Sequence, residues 1–269
     1  MRRLVNKIVR YLRLYFYLVK FSVMSVIIYR LNSLLMGVTS IIWMLTMIVF
    51  ASVVFKGVDQ IAGWTFWEIM LLLGIHELIF LGTWMFFAQN LGKFIYDVRQ
   101  GSFDKTLLKP VNQRFLVSFN SIDFTLLGSL VNVVVVLSVS LTHLTINIDL
   151  LGIITFFISL ICAYFIVYFV YFCVSSLSLF FVNAETFSDW LLEMTDFDRY
   201  PAEIYGEIFR TFLFFVLPIL FFAYVPTAIL LNKLPRYYAG IGVLMVIWLY
   251  IISTILWKSG LKKYQSASS

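Results

Sequence analysis

Long apolar runs separated by short polar stretches set the pattern of this chain. Continuous runs occupy about 33–55, 66–89, 122–141, 150–182, 211–231 and 237–257. Each matches or exceeds the roughly 20 residues a helix needs to cross a hydrocarbon core of about 30 Å. None shows the short alternating pattern of a membrane β-strand. The pattern predicts an all-α integral membrane protein with six transmembrane helices. The 150–182 run is longer than one straight crossing, so its helix tilts, overshoots or breaks. The 211–231 run holds Pro218 and Pro226 and predicts a kinked or broken helix, with a re-entrant hairpin as one form. Broken backbone is tolerated at membrane depth only where it packs in protein or lines a cavity.

Three polar stretches interrupt this series. Residues 2–31 carry Arg3, Lys7 and Arg10 at helical spacing, with Leu4, Ile8, Tyr11 and Leu12 supplying an apolar side. This is the pattern of an amphipathic helix lying in the membrane interface among anionic headgroups; a basic orientation signal without fixed structure is the other reading. The chain thus divides into an interfacial segment, 1–32, and one membrane domain, 33–269. Residues 98–115 form a basic island. Gly101 suits a left-handed helix end, Ser102 can cap a new helix, and Asn112 can cap the one after it. Phe103–Leu108 then reads as a short helix, stopped before Pro110. From 183 to 210 the chain is polar, with Glu185, Asp189, Glu193 and Asp196 at helical spacing opposite Phe187, Trp190, Leu191 and Met194. Span counting places this stretch in the cytoplasm, although it is not basic.

Charge orients the series. Only 13% of the 269 residues are charged and 62% are hydrophobic, against about 25% charged in soluble chains. No Asp or Glu occurs before Asp59, whereas basic residues recur through the first 56 positions. Together with Lys93, Arg99, Lys105, Lys109 and Arg114, and with Lys258, Lys262 and Lys263, this places both termini and the 93–114 connection inside. The net charge of +6 therefore reads as orientation and lipid contact, not nucleic-acid binding. Trp64 and Trp67 read as aromatic anchors at the far interface, and Glu68 as a solvated boundary residue. Cys162 and Cys173 lie about 16 Å apart along one helix at 1.5 Å per residue, too far for a disulfide, and read as packing residues.

The chemistry of catalysis is missing. There is no GxxxxGK[ST] phosphate loop, GxSxG or HExxH, and His76 and His143 have no Cys/His set around them. The chain reads as no enzyme by itself, without a metal or cofactor of its own. Glu77 is the sharpest single residue, because an ionisable group mid-span is costly and is a functional candidate by default. It either lines a translocation path or joins helices by hydrogen bonding. Asn132 and Asp123 pose the same alternatives, Asp123 nearer an interface.

Taken together, the basic N-terminal helix, the six runs and the loop after the second resemble an ABC-2 type transporter permease of bacteria. More specifically, Arg99-x-Gly101-x-x-Asp104-x-x-Leu107-Leu108-x-Pro110 is similar to the loop of one subgroup. So is Arg199-Tyr200-Pro201 followed by the proline-interrupted 212–226 stretch. The resemblance implies a multi-pass subunit of an ATP-driven exporter in the bacterial inner membrane, moving a hydrophobic or amphipathic substrate. It implies a second permease, identical or related, and a cytoplasmic ATPase dimer that binds ATP and Mg. It further implies that Phe103–Leu108 is a coupling helix, with Arg99, Phe103, Asp104, Leu107, Leu108, Lys109 and Pro110 as its working residues. Residues 1–32 become a connecting helix, and Pro218 and Pro226 belong to an outer gate. A non-transporting membrane scaffold is the alternative function.

Overall fold

A computed structural model describes residues 16–24, 28, 30–147, 149–181 and 184–264. The basic residues expected to form most of the interfacial helix, 1–15, lie outside them. Residues 16–24 are helical, and the Ser22 hydroxyl accepts a hydrogen bond from the Ile122 backbone N–H at 3.0 Å.

Five helical stretches among the described residues are long and apolar enough to cross a membrane, the third of them interrupted at 120–123. The first contains α1 (Arg30–Val54). The second joins α2 (Phe66–Thr83), a π-helical turn at Trp84–Ala88, and α3 (Gln89–Arg99) into one 34-residue rod. That rod is about 50 Å long at 1.5 Å per residue. Its N-terminus is fixed by a capping box in which Glu68 Oε2 accepts the Thr65 N–H at 2.7 Å. After the short α4 (Asp104–Leu107), the third comprises α5 (Gln113–Phe119), a 3₁₀ turn and α6 (Leu127–His143). The fourth is α7 (Leu150–Ser176), capped by Asp149, with a 3₁₀ extension to Leu179; the last, which we call α11, is Tyr237–Lys263.

The α2–α3 rod is the buried centre, whereas α1 is almost wholly exposed. α6 packs along α2, α1 lies on α6, and α11 runs along α7. Small residues permit the closest approaches. A Cβ on Gly74 would come within 2.7 Å of Leu137, and one on Gly82 within 2.6 Å of the Tyr164 ring. Tyr164 is itself held by its hydroxyl, which donates to Leu78 O at 2.9 Å.

Between α7 and α11 the 211–231 run is broken, as its two prolines predict: it forms α9 (Glu207–Phe215), a 3₁₀ turn at Ile219–Phe221, and α10 (Tyr224–Leu230). Neither helix approaches the length of a crossing. Pro226 is the third residue of α10, where a backbone N–H has no intrahelical acceptor to lose. The acidic 183–210 stretch is not a loop beyond one end of the bundle. α8 (Glu185–Thr195) and the 3₁₀ turns Asp196–Arg199 and Ala202–Ile204 run along the α2–α3 rod. Glu185 pairs with Arg99 at 2.7 Å, Arg199 reaches His76, and Glu203 reaches Trp64. The stretch therefore runs from the α4 end of the rod to its Trp64 end. Its charges hid it from span counting, and partners inside the bundle accommodate several of them.

Gly82→Val should lower stability by about 2 kcal/mol through overpacking against Tyr164, read as an earlier melting transition in detergent. Gly92→Ala, where nothing stands within 4 Å of the added carbon, should leave the transition unchanged or raise it.

Candidate functional site

Two places in the structure hold the residues singled out above. The first is a cavity of about 510 Å³ between α1, α2 and α6. One face of the α2–α3 rod supplies Met70, Leu73, Gly74, Glu77, Phe80, Leu81 and, at the π-helical turn, Trp84, spaced at three and four residues as a helix face requires. α1 supplies Met36, Trp43, Met44 and Met47, and α6 supplies Asn132, Val133 and Val136. Glu77 and Asn132 thus share one cavity. Asn132 is already engaged, because its Nδ2 donates to Ser40 Oγ at 2.6 Å and ties α6 to α1. Glu77 interacts with the Trp43 indole and lies in the field of Arg199 and Asp196. Asp123 is at the cavity edge, accepting from Gln89 Nε2 at 2.6 Å and capping its own turn through Thr125. The Trp84 indole N–H is buried with no partner among the described residues. It opens the π-helical turn, a distortion found often at functional sites. Four methionines and three large aromatic side chains make an adaptable apolar wall.

Arg199 reaches this cavity from behind and leads to a buried polar cluster that the apolar pattern did not single out. Its Nε donates to His76 Nε2 at 3.2 Å, and its terminal nitrogen pairs with Asp196 at 3.2 Å. Guanidinium cannot accept, so His76 Nε2 is the bare nitrogen and the proton sits on Nδ1. That nitrogen faces Asp198 Oδ2 at 3.5 Å. Asp198 has no exposed surface, and its other oxygen accepts the Tyr224 N–H at 3.1 Å, at the start of α10. Farther along, Glu203 accepts from Tyr224 Oη at 2.6 Å and from Trp64 Nε1 at 3.1 Å. Lys233 closes this end on Glu68 at 3.1 Å and on Gly63 O at 2.7 Å. Trp64 is consequently a buried packing residue, and Glu68 is paired with Lys233, not the solvated carboxylate expected of it. Trp67 stacks on His143 with centroids 4.0 Å apart. Outside the spans, the Arg236 guanidinium beside Asp149 holds its carboxyl below the usual carboxylate range. Pro218 and Pro226 are buried in the hairpin of α9 and α10, of which α9 is largely exposed and the turn packs beside Gly242.

The second place is α4. Gly101 takes the left-handed conformation at φ 71°, ending α3 as expected. Ser102 does not cap α4; its hydroxyl turns back to donate to Asp97 Oδ1 at 2.8 Å. Asn112 does cap α5, accepting from the Phe115 N–H at 3.2 Å. The residues of the short helix divide by exposure. Phe103 is 1% exposed and packs against Phe94, Trp257 and Tyr264, so it anchors the loop and has no face to offer a partner. Leu107 is half-buried against the same core, and Asp104 is half-buried. Leu108 is 85% exposed, with Lys105, Lys109 and Pro110 exposed around it. Arg99 is turned aside to Glu185.

A helical bundle with several crossing-length helices, a charged cavity and a short exposed helix between two of them defines a multi-pass membrane protein. The family model of the ABC-2 family transporter protein matches residues 41–268, and the chain belongs to that family. It is a membrane transport component of the ABC type. No curated protein and no solved structure matches it.

Asp198→Ala should leave the Tyr224 N–H unpaired at a cost of about 1–3 kcal/mol. Hydrogen exchange of residues 224–230 should accelerate, while exchange in α7 stays unchanged.

Proposed function

We propose that the chain is the permease subunit of an ATP-driven exporter that moves a hydrophobic or amphipathic substrate out of the cytoplasm. It works as a pair of permeases, identical or related, with a cytoplasmic ATPase dimer that binds ATP and Mg. In this reading the protein lies in the bacterial inner membrane with both termini cytoplasmic. It crosses six times, and the fifth crossing is the assembled stretch of α8 and the 3₁₀ turns that follow it. The parity supports this: α7 and α11 run in the same direction, so the chain between them must return along the bundle. The hairpin of α9 and α10, with Pro218 and Pro226, is the outer gate, and the cavity at Glu77 and Asn132 belongs to the substrate path.

The observation that carries the reading is the division of labour in α4. An exposed leucine with two lysines stands on a base fixed by buried Phe103, which suits transmission of force from a docked partner. ATP then drives transport because it binds one arrangement of the ATPases better than the other.

Leu108→Asp should abolish co-purification of the ATPase while the protein still inserts, a loss of about 2 kcal/mol or more as at a binding hot spot. ATPase recovery equal to wild type would refute the docking surface, and a stable complex containing no ATPase would favour a scaffold. Glu77→Gln should alter transport without altering ATPase binding; unchanged transport of every substrate makes Glu77 a helix-joining residue.

A further inference from the structure

The loop that carries α4 is gripped on both sides by the same distant helix. Before α4, Phe103 lies edge-on to Trp257 with ring centroids 6.3 Å apart, and to Tyr264 at 5.4 Å. After α4, Arg114 donates from Nη1 to Thr254 Oγ1 at 3.0 Å and from Nη2 to Ser253 Oγ at 2.7 Å. The guanidinium stands 4.3 Å from the centre of the Phe172 ring, so the cation also has an aromatic face. Ser253 and Trp257 are i and i+4 on α11, one turn apart on one side. Ser253 has no exposed surface. The two grips therefore clamp residues 103–114 to a single strip of α11. By charge alone, Arg114 counts as one more inside cation; its contacts make it an attachment point.

The other end of α11 meets the hairpin. Tyr238 packs on Phe214 with centroids 5.7 Å apart, and a Cβ on Gly242 would stand 3.7 Å from the Phe221 ring. Between the two ends runs an unbroken 27-residue helix without proline, about 40 Å long at 1.5 Å per residue. Sharp kinks in helices arise at proline, Gly/Ser pairs, π-bulges or inserted groups; α11 has no proline or π turn, and its Ser259–Gly260 pair lies beyond Trp257, on the side away from the hairpin. We infer that α11 is the rod that carries movement of the α4 loop to the α9–α10 hairpin, with Arg114 and Trp257 as its positioning residues. This rests on α4 being the ATPase dock. It adds a route to the hairpin along α11, entered from Phe103 and from Arg114 at the start of α5, beside any movement carried along the two helices that flank the loop.

The test uses the permease co-purified with its ATPase in lipid nanodiscs, trapped with ATP and vanadate, and read by hydrogen exchange. In the wild type, trapping should change exchange across residues 219–230 by about fivefold or more, the low end of typical coupling between sites. Arg114→Gln should lose that change while the ATPase stays bound and residues 104–109 keep their protection. Arg114→Lys should recover part of it, because the charge over Phe172 remains although the two-pronged donation is lost. The double substitution Ser253→Ala with Thr254→Val should act like Arg114→Gln, and the combination of all three should be no worse, as expected of groups acting through one contact. Trp257→Leu tests the other grip by the same measure and does not depend on Arg114 variants folding. A hairpin response in Arg114→Gln and Trp257→Leu equal to wild type overturns the inference, as does the absence of any hairpin response in the wild type. A wild-type permease that brings down no ATPase overturns the docking reading instead.

Discussion

Asp198 is a carboxyl group with no exposed surface, packed among apolar helices, and the arrangement of the middle of the molecule follows from satisfying it. Leaving such a group without partners costs several kcal/mol in an apolar medium. Its oxygens are met by a backbone N–H at the start of α10 and by the protonated nitrogen of His76. His76 presents its bare nitrogen to Arg199, and Arg199 carries the chain of contacts to the cavity that holds Glu77. Three segments far apart in sequence are thereby fixed at one point: the middle of α2, the 3₁₀ turn after α8, and the entry to α10. Neither α10 nor the 3₁₀ turns could hold position alone, being too short to be stable helices in isolation.

The cluster also explains why a broken stretch is tolerated beside α2. A continuous helix satisfies its own backbone, but α8, α9, α10 and the three 3₁₀ turns among them expose chain ends at every break. The ends are covered from within. Tyr205 donates to Phe197 O at 2.7 Å, Lys233 Nζ to Gly63 O, and the backbone N–H groups of Lys233 and Leu234 fold back on Ala228 O. Pro201 and Pro218 remove donors at points where the helix has already stopped. The same side chains that satisfy the breaks link the cavity to the hairpin, so local satisfaction and long-range connection are one set of contacts.

Most of the continuous helices were legible because an apolar run of crossing length admits few other structures. The turns around Gly101 and Asn112 were legible for a local reason, since each residue acts within its own helix end. Ser102, able to cap by type, does not do so, because Asp97 on the preceding helix takes its hydroxyl. Glu77 was legible as an isolated charge in an apolar run. Its neighbours Arg199 and Trp43 were not, because nothing in the local pattern brings them to α2. The acidic 183–210 stretch was not legible, for the opposite reason to the apolar runs: several of its charges are matched to partners in other segments, and a window along the chain cannot see pairing across it.

Phe103 and Leu108 show the same limit at the scale of one helical turn. Both are apolar in a basic loop, and the pattern cannot tell which faces inward. The aromatic rings of Phe94, Trp257 and Tyr264 decide it, by offering Phe103 an edge-to-face site that an aliphatic chain fills less well. Once Phe103 is committed to that site, the short helix has one orientation, and Leu108 with Lys105 and Lys109 must point away from the bundle. The rigidity of the exposed surface is therefore borrowed from α3 and α11. A surface meant only to cover the protein's end would gain nothing from such an anchor, whereas one that transmits a push requires it.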